Sequence, residues 1–172
     1  MVNNAESLPT VIAGQVGARG TADLGSASFT LTDSPNPMLP LSVLELSVEA
    51  TGIQSESTSS FGPGGDSFLS GDASFHSLTV AGALVGGETL TFSGDAAADT
   101  VLYKSSTVTI TLDEQTLLLP PAATSGAIGP SITTDAIDIQ LNHAKYGNQT
   151  ITGNFDIGQS SAGYSLIPPA HV

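Results

Sequence analysis

Asp113-Glu114-Gln115 is the densest polar cluster of the sequence, and it closes a segment in which Val108, Ile110 and Leu112 alternate with Thr109 and Thr111. Carboxylates at such a strand end suit two roles. If Leu112 points inward, alternation turns Asp113 outward and Glu114 inward, where its carboxylate can reach back to backbone amides of a neighbouring loop. The other role is a Ca²⁺ site, because a hard cation takes several carboxylate and carbonyl oxygens, and loops at one end of a β-sandwich can supply them. Asp66, Asp95, Asp99, Asp113 and Glu114 are the candidate ligands. No Asp-x-Asp-x-Asp-Gly loop occurs, so those ligands would have to be gathered from separate segments. Ca²⁺ is the one cofactor the sequence suggests.

Catalytic constellations are missing. His76, His143 and His171 are spread along the chain, which speaks against a three-histidine zinc site or a Ser-His-Asp triad. There is no Gly-x-Ser-x-Gly elbow, and the absence of cysteine excludes a thiolate metal site, a cysteine nucleophile and a disulfide framework. The carboxylate pairs Glu45 with Glu49 and Asp135 with Asp138 sit on regular strand patterns, where Glu45 and Glu49 share a solvent face rather than line a cleft. A non-enzymatic protein is therefore expected. Asn148-Gln149-Thr150 is a glycosylation sequon on an expected turn. For stacking on sugar faces the chain offers Tyr103, Tyr146, Tyr164 and the phenylalanines, with no tryptophan.

Charge narrows the partners. Sixteen Asp and Glu stand against three Lys and Arg in 172 residues, a formal net charge of -13. Nucleic-acid binding through phosphate neutralisation is excluded on that count. No apolar run approaches the roughly 18–20 residues of a membrane helix, the longest being Leu117 to Pro121, so no direct membrane insertion is expected. Met1 to Ser7 lacks the basic and apolar regions of a signal peptide. Hydrophobic residues at 40% with charged residues at 11% indicate a folded chain, and the excess of Ser, Thr, Gly and Ala leans toward the outside of a cell.

The elements that must position these groups are strands. Apolar residues recur with a period of two: Leu44, Leu46, Val48 and Ala50 alternate with Glu45, Ser47 and Glu49, Ile137, Ile139 and Leu141 with Asp138 and Gln140, and Phe155 and Ile157 flank Asp156. Weaker strand patterns cover Val11 to Val16, Ala27 to Leu31, Ser67 to Val80 with an interruption near Gly71, Thr89 to Phe92, and Thr100 to Lys104. Turn signals stand at Pro35-Asn36-Pro37, Gly62 to Asp66, Gly86-Gly87, Ser93-Gly94-Asp95, Gly129-Pro130 and Tyr146-Gly147-Asn148. Asp95 to Asp99 is too short for an isolated helix and reads as a loop turn. The pattern predicts an all-β fold, a single β-sandwich or jelly-roll of about nine or ten short, mainly antiparallel strands.

The order of features from roughly Val48 to Gly163 resembles the bacterial surface proteins called choice-of-anchor P. The likeness rests on Ile53 to Ser57 entering a Ser-rich turn, Gly71 to Gly82, Val108 to Gln115, and Ile132 to Ile139. It implies a secreted or cell-surface β domain and nothing catalytic. Residues 21–165 are the expected sandwich, 166–172 a short C-terminal tail, and 1–20 an N-terminal segment set off by the Gly-rich stretch Gly14 to Gly25. Such a segment can either close its own sheet or exchange into a neighbour's sheet edge. The expected protein is a non-enzymatic extracellular or cell-surface structural module whose partner is itself, as homo-oligomer or filament, or other surface components. The alternative is an adhesion module that binds glycan or Ca²⁺.

Overall fold

The computed structural model describes residues 8–12, 15–33, 43–62, 66–119, 128–146 and 149–165. The strands are β1 (Leu8–Ile12), β2 (Gln15–Asp33), β3 (Val43–Phe61), β4 (Ser67–Ala81), β5 (Thr89–Ala96), β6 (Thr100–Lys104), β7 (Val108–Leu118), β8 (Ile128–Tyr146) and β9 (Gln149–Ser165). One sheet has the order β1-β2-β3-β4-β5 and the other β6-β7-β8-β9, with every pairing antiparallel and between chain neighbours. The fold is an all-β sandwich. Among the described residues, and setting aside the terminal hairpin arm β1, each sheet holds four strands. These eight replace the about nine or ten short strands expected from the turn spacing. Several are long: β2, β3 and β8 each run for 19 residues and β9 for 17.

The strands are long because glycines read as breaks lie inside them. Each long strand changes its inward parity near its middle, and β8 does so a second time between Leu141 and Ala144, where His143 has φ 52. In β3, Leu46, Val48 and Ala50 are buried, then Ile53, Ser55, Ser57 and Ser59, with Gly52 at φ 55 between the two sets. In β4 the buried set passes from Ala73 and Phe75 to Leu78 and Val80, where its register with β5 also shifts. In β8 it passes from Ile132, Thr134 and Ala136 to Ile137, Ile139 and Leu141. In β7 the reversal is at Asp113, φ 52, and in β9 at Gly158, φ 70. A bulge-like step of this kind turns the following side chains over without ending the strand. These reversals form a crease across both sheets.

The crease separates two interiors. On one side, Leu46, Val48, Leu78, Val80, Val85, Val108, Ile110, Leu112, Ile137 and Ile139 pack as a dry aliphatic core, and each such burial is worth about 1.5–3 kcal/mol. On the other, small hydroxyl residues fill the gap. Ser57 Oγ lies 2.9 Å from Thr134 Oγ1 and 3.0 Å from Ser160 Oγ, and Ser59 Oγ donates to the Pro130 carbonyl at 2.8 Å. Sheets come very close here: a Cβ on Gly20 would lie 2.1 Å from the Ser161 carbonyl oxygen, and one on Gly71 2.2 Å from Thr134 Oγ1.

Several expectations are corrected accordingly. Gly71 does not interrupt β4, Ser93-Gly94-Asp95 lies inside β5, and Ser55 to Ser60 continues β3 instead of forming a turn. Gly129-Pro130 lies in β8 near a register shift that tolerates the missing N–H of proline. Leu44 is 41% exposed because it stands at the start of β3, beyond the core. Gly86-Gly87 does turn the chain, with the Gly87 N–H donating to the Gly82 carbonyl. Residues 35–37, 63–65 and 147–148 lie outside the described residues. The described part of the Gly-rich stretch, from Gln15 on, belongs to β2, which pairs with β3 from Val16 onward, and β1 hairpins on β2 of its own chain.

Two of the three glycines of β2 give a test. Gly20→Ala drives a methyl into a backbone carbonyl and is expected to cost about 1–3 kcal/mol, read as a midpoint lowered by about 2–4 °C for each kcal/mol. Gly25→Ala, with no atom near its Cβ position, is expected to leave the thermal midpoint unchanged or slightly raised.

Candidate functional site

The five candidate Ca²⁺ ligands are not gathered into one site. Asp66 ends the connection from β3 to β4, its carbonyl accepting the Gly62 N–H at 2.8 Å, and is exposed. Asp95 sits on β5 opposite Ser74 and faces a hollow of 610 Å³ that it shares with Asp23, Glu56 and Asp72. Asp99, also left-handed at φ 56, forms the turn into β6; its N–H donates to the Asp113 carbonyl at 2.9 Å and its Oδ1 accepts the Gln115 N–H at 3.0 Å. Asp113 and Glu114, adjacent in sequence, go to opposite faces of β7 in the reverse of the expected sense. Asp113 is buried at 1% exposure and Glu114 is half-buried on the other face. The cause is the left-handed Asp113, which shifts the alternation by one residue. Among the described residues no three His, Cys, Asp or Glu side chains are grouped as a metal ion requires.

The structure brings together a different set of carboxyls along the crease. Facing the interior, Asp113 accepts a bond from Gln115 Nε2 through Oδ2 at 3.2 Å, while Oδ1 has no partner. Gln115 Nε2 also donates to the Gly71 carbonyl at 2.8 Å, tying β7 to β4. Burial pushes the Asp113 carboxyl up to about 6; the Gln115 bond opposes this, and the nearby Asp72 and Asp99 add to it.

On the opposite face of β8 from Ile137 and Ile139, Asp138 is fully buried and neither of its oxygens has a hydrogen-bond partner. It stands across from Asp156 on β9 in the strand register. The carboxyls of Glu114 and Asp156 lie within hydrogen-bonding reach. Burial, then Glu114, push Asp138 up to about 6, against the Asp156 and Asn154 side chains, which pull it down. Asp156 is raised by burial and by Asp138 in turn, and Asn154 Nδ2 donates to its Oδ1 at 2.8 Å. Asp135 is raised by burial, against a bond of 2.8 Å from Gln159 Nε2. The sequence carried a signal for this cluster: Ile137-Asp138-Ile139 and Phe155-Asp156-Ile157 share one pattern, and antiparallel pairing of the two triplets sets acid against acid.

The remaining candidates disperse. His76 and His143 are exposed, on β4 and β8, and His171 and Asn148 lie outside the described residues. Glu49 is exposed and Glu45 half-buried on the outer face of β3. Tyr103 is half-buried beside the core, and the side chains of Tyr146 and Tyr164 are not among the described ones. The aromatic surface lies elsewhere, in Phe29 and Phe155, whose ring centroids are 4.6 Å apart in a groove of 1160 Å³ also lined by Glu49, Asn154, Asp156 and Gln159.

No family model, curated protein or solved structure matches the chain.

Two substitutions at Asp113 separate its charge from its backbone role. A carboxyl raised by burial is less costly to fold when protonated, so its contribution is best below the ordinary value of 3.8 and declines as pH rises through about 6. Asp113→Asn keeps a residue that tolerates φ above zero and cannot ionise, and is expected to raise the thermal midpoint at pH 7.5 while leaving it unchanged at pH 4. Asp113→Ala, which places an ordinary side chain in a left-handed position at about 1–2 kcal/mol, is expected to lower the midpoint at both pH values.

Proposed function

We propose that the protein is a non-enzymatic structural module of the cell surface or extracellular matrix, assembling with further copies of itself through the open edge of β9. One observation carries this reading. From Gln149 to Asp156 every residue except Ile151 is exposed, and no strand among the described residues pairs with the outer side of β9. Such an edge presents a row of unpaired N–H and C=O groups, and natural edges are usually guarded by lysine, proline, bulges or covering segments. The whole of β9 contains no proline and no lysine, and Asp156 is its single charge. Beyond Gly158, β9 is crowded by β2 of the facing sheet, whose Gly20 sits against Ser161. The open portion is therefore short and specific.

Edge pairing replaces strand exchange as the favoured mode, because β1 is already accommodated on its own β2. Placement outside the cell draws on the Ser-, Thr-, Gly- and Ala-rich composition and on the resemblance to choice-of-anchor P proteins. The absence of a catalytic constellation in the sequence supports a non-enzymatic role. The alternative, an adhesion module, draws on the groove at Phe29 and Phe155, where ring faces and polar side chains together offer what a glycan needs.

Light scattering after size exclusion, from micromolar to millimolar protein, tests the leading reading. Wild type is expected to associate with rising concentration. The double variant Thr150→Lys with Gly153→Lys puts charges on the open edge, at Gly153 in a space with no neighbouring atom, and is expected to stay monomeric with an unchanged far-ultraviolet spectrum. Wild type that remains monomeric throughout, or a lysine variant that associates equally well, would contradict edge pairing.

A further inference from the structure

A carboxylate with no access to water and no donor is untenable as an isolated charge. Asp138 comes close to that position: it is fully buried and neither oxygen makes a direct hydrogen bond, while the neighbouring Asn154 side chain offsets only part of the cost of its charge. Its surroundings on each packed strand are acidic or neutral. From β7 come Glu114 and, opposite in register, Thr111; from β9 come Asp156 and Asn154; Asp135, on β8 itself, is bonded by Gln159. No Lys, Arg or His acts on Asp138. Of the basic residues, Arg19 is engaged with Glu56 on the other sheet, Lys104 lies on β6, and Lys145 stands opposite Thr150 toward the end of β8. Two carboxyls in contact satisfy each other when one keeps its proton: the Asp138 O–H donates to an oxygen of Glu114 or Asp156, or the Asp156 O–H donates to an Asp138 oxygen.

We infer that Glu114, Asp138 and Asp156 form a proton-sharing carboxyl cluster that fastens β9 to β8 in acid and loosens it on ionisation, so that pairing of the β9 edge with a second copy of the chain is favoured by acid. The assembly half of this inference rests on the edge-pairing reading above, whereas the fastening half does not. Both effects act in the same direction. Directly opposed like charges destabilise a strand pair, and the register places Asp138 against Asp156. Asp156 is also the single charge on β9, so its protonation leaves that strand neutral. With the raised carboxyls of Asp138 and Asp156, the folded state binds more protons than the unfolded chain between about pH 4 and pH 6, and stability falls as pH rises through that window.

The test uses the full chain in two arms, with wild type, Asp138→Asn and, as a control, Asp113→Asn. In the dilute arm, thermal unfolding is followed from pH 4.5 to pH 7.5. The wild-type midpoint is expected to fall across this range, and Asp138→Asn to be flatter and higher at pH 7.5. In the concentrated arm, sedimentation is expected to show wild type and Asp113→Asn associating more strongly at pH 5 than at pH 7.5, while Asp138→Asn narrows the difference. A wild-type midpoint that rises with pH, or an Asp138→Asn slope equal to that of wild type, overturns the fastening role. Association equal at both pH values overturns the acid dependence and leaves edge pairing standing, whereas no association at any pH overturns edge pairing itself. Millimolar Ca²⁺ that restores wild type but not Asp138→Asn at pH 7.5 overturns the proton as the occupant in favour of a cation.

Discussion

Two sheets that lie apart on one side and nearly touch on the other cannot be lined by the same side chains along their whole length. The strands meet this constraint by reversing their inward parity along the crease, at Gly52 in β3, between Phe75 and Leu78 in β4, at Asp113 in β7, between Ala136 and Ile137 in β8 and at Gly158 in β9. Toward one end the gap is filled by branched aliphatics, and toward the other by serines, threonines and bare glycine backbone. Three of these five reversals use the left-handed region, which glycine enters freely and aspartate tolerates. The crease thus links local backbone chemistry to the shape of the interior and to the position of every unusual carboxyl.

That link explains why the acids gather where they do. A reversal places two successive residues of one strand in different surroundings, so a polar residue at the step is drawn out of water with part of its bonding unmet. Asp113 is held from the inside by Gln115, which also grips the Gly71 carbonyl across the gap. Asp138, a short distance along β8, is covered on the far face by Glu114 and Asp156. These groups cost stability when charged, and a chain with -13 formal charge and three basic residues has few means of neutralising them internally. Protonation is the available remedy.

The sequence showed the fold class because period two survives within each half-strand: Val108, Ile110 and Leu112, and Ile137, Ile139 and Leu141, are all buried as their alternation implies. It hid strand length, because Gly71 and Gly94 look like punctuation until a facing strand shows that β4 and β5 run through them. It also misplaced the face of Asp113. Alternation does not carry across Asp113, whose positive φ leaves no signature in the residue type. The Glu114–Asp138–Asp156 cluster is a product of register between β7, β8 and β9, and register is a tertiary property. Only the twin triplets around Asp138 and Asp156 hinted at it.

The central claim is that the crease removes particular carboxyls from water, and resolved titration of aspartate side chains by carbon-detected nuclear magnetic resonance addresses it most directly. The account predicts midpoints of about 6 for Asp113 and Asp138. Midpoints for both at the ordinary 3.8 would mean that these side chains are hydrated, and would contradict the buried positions from which the rest is derived.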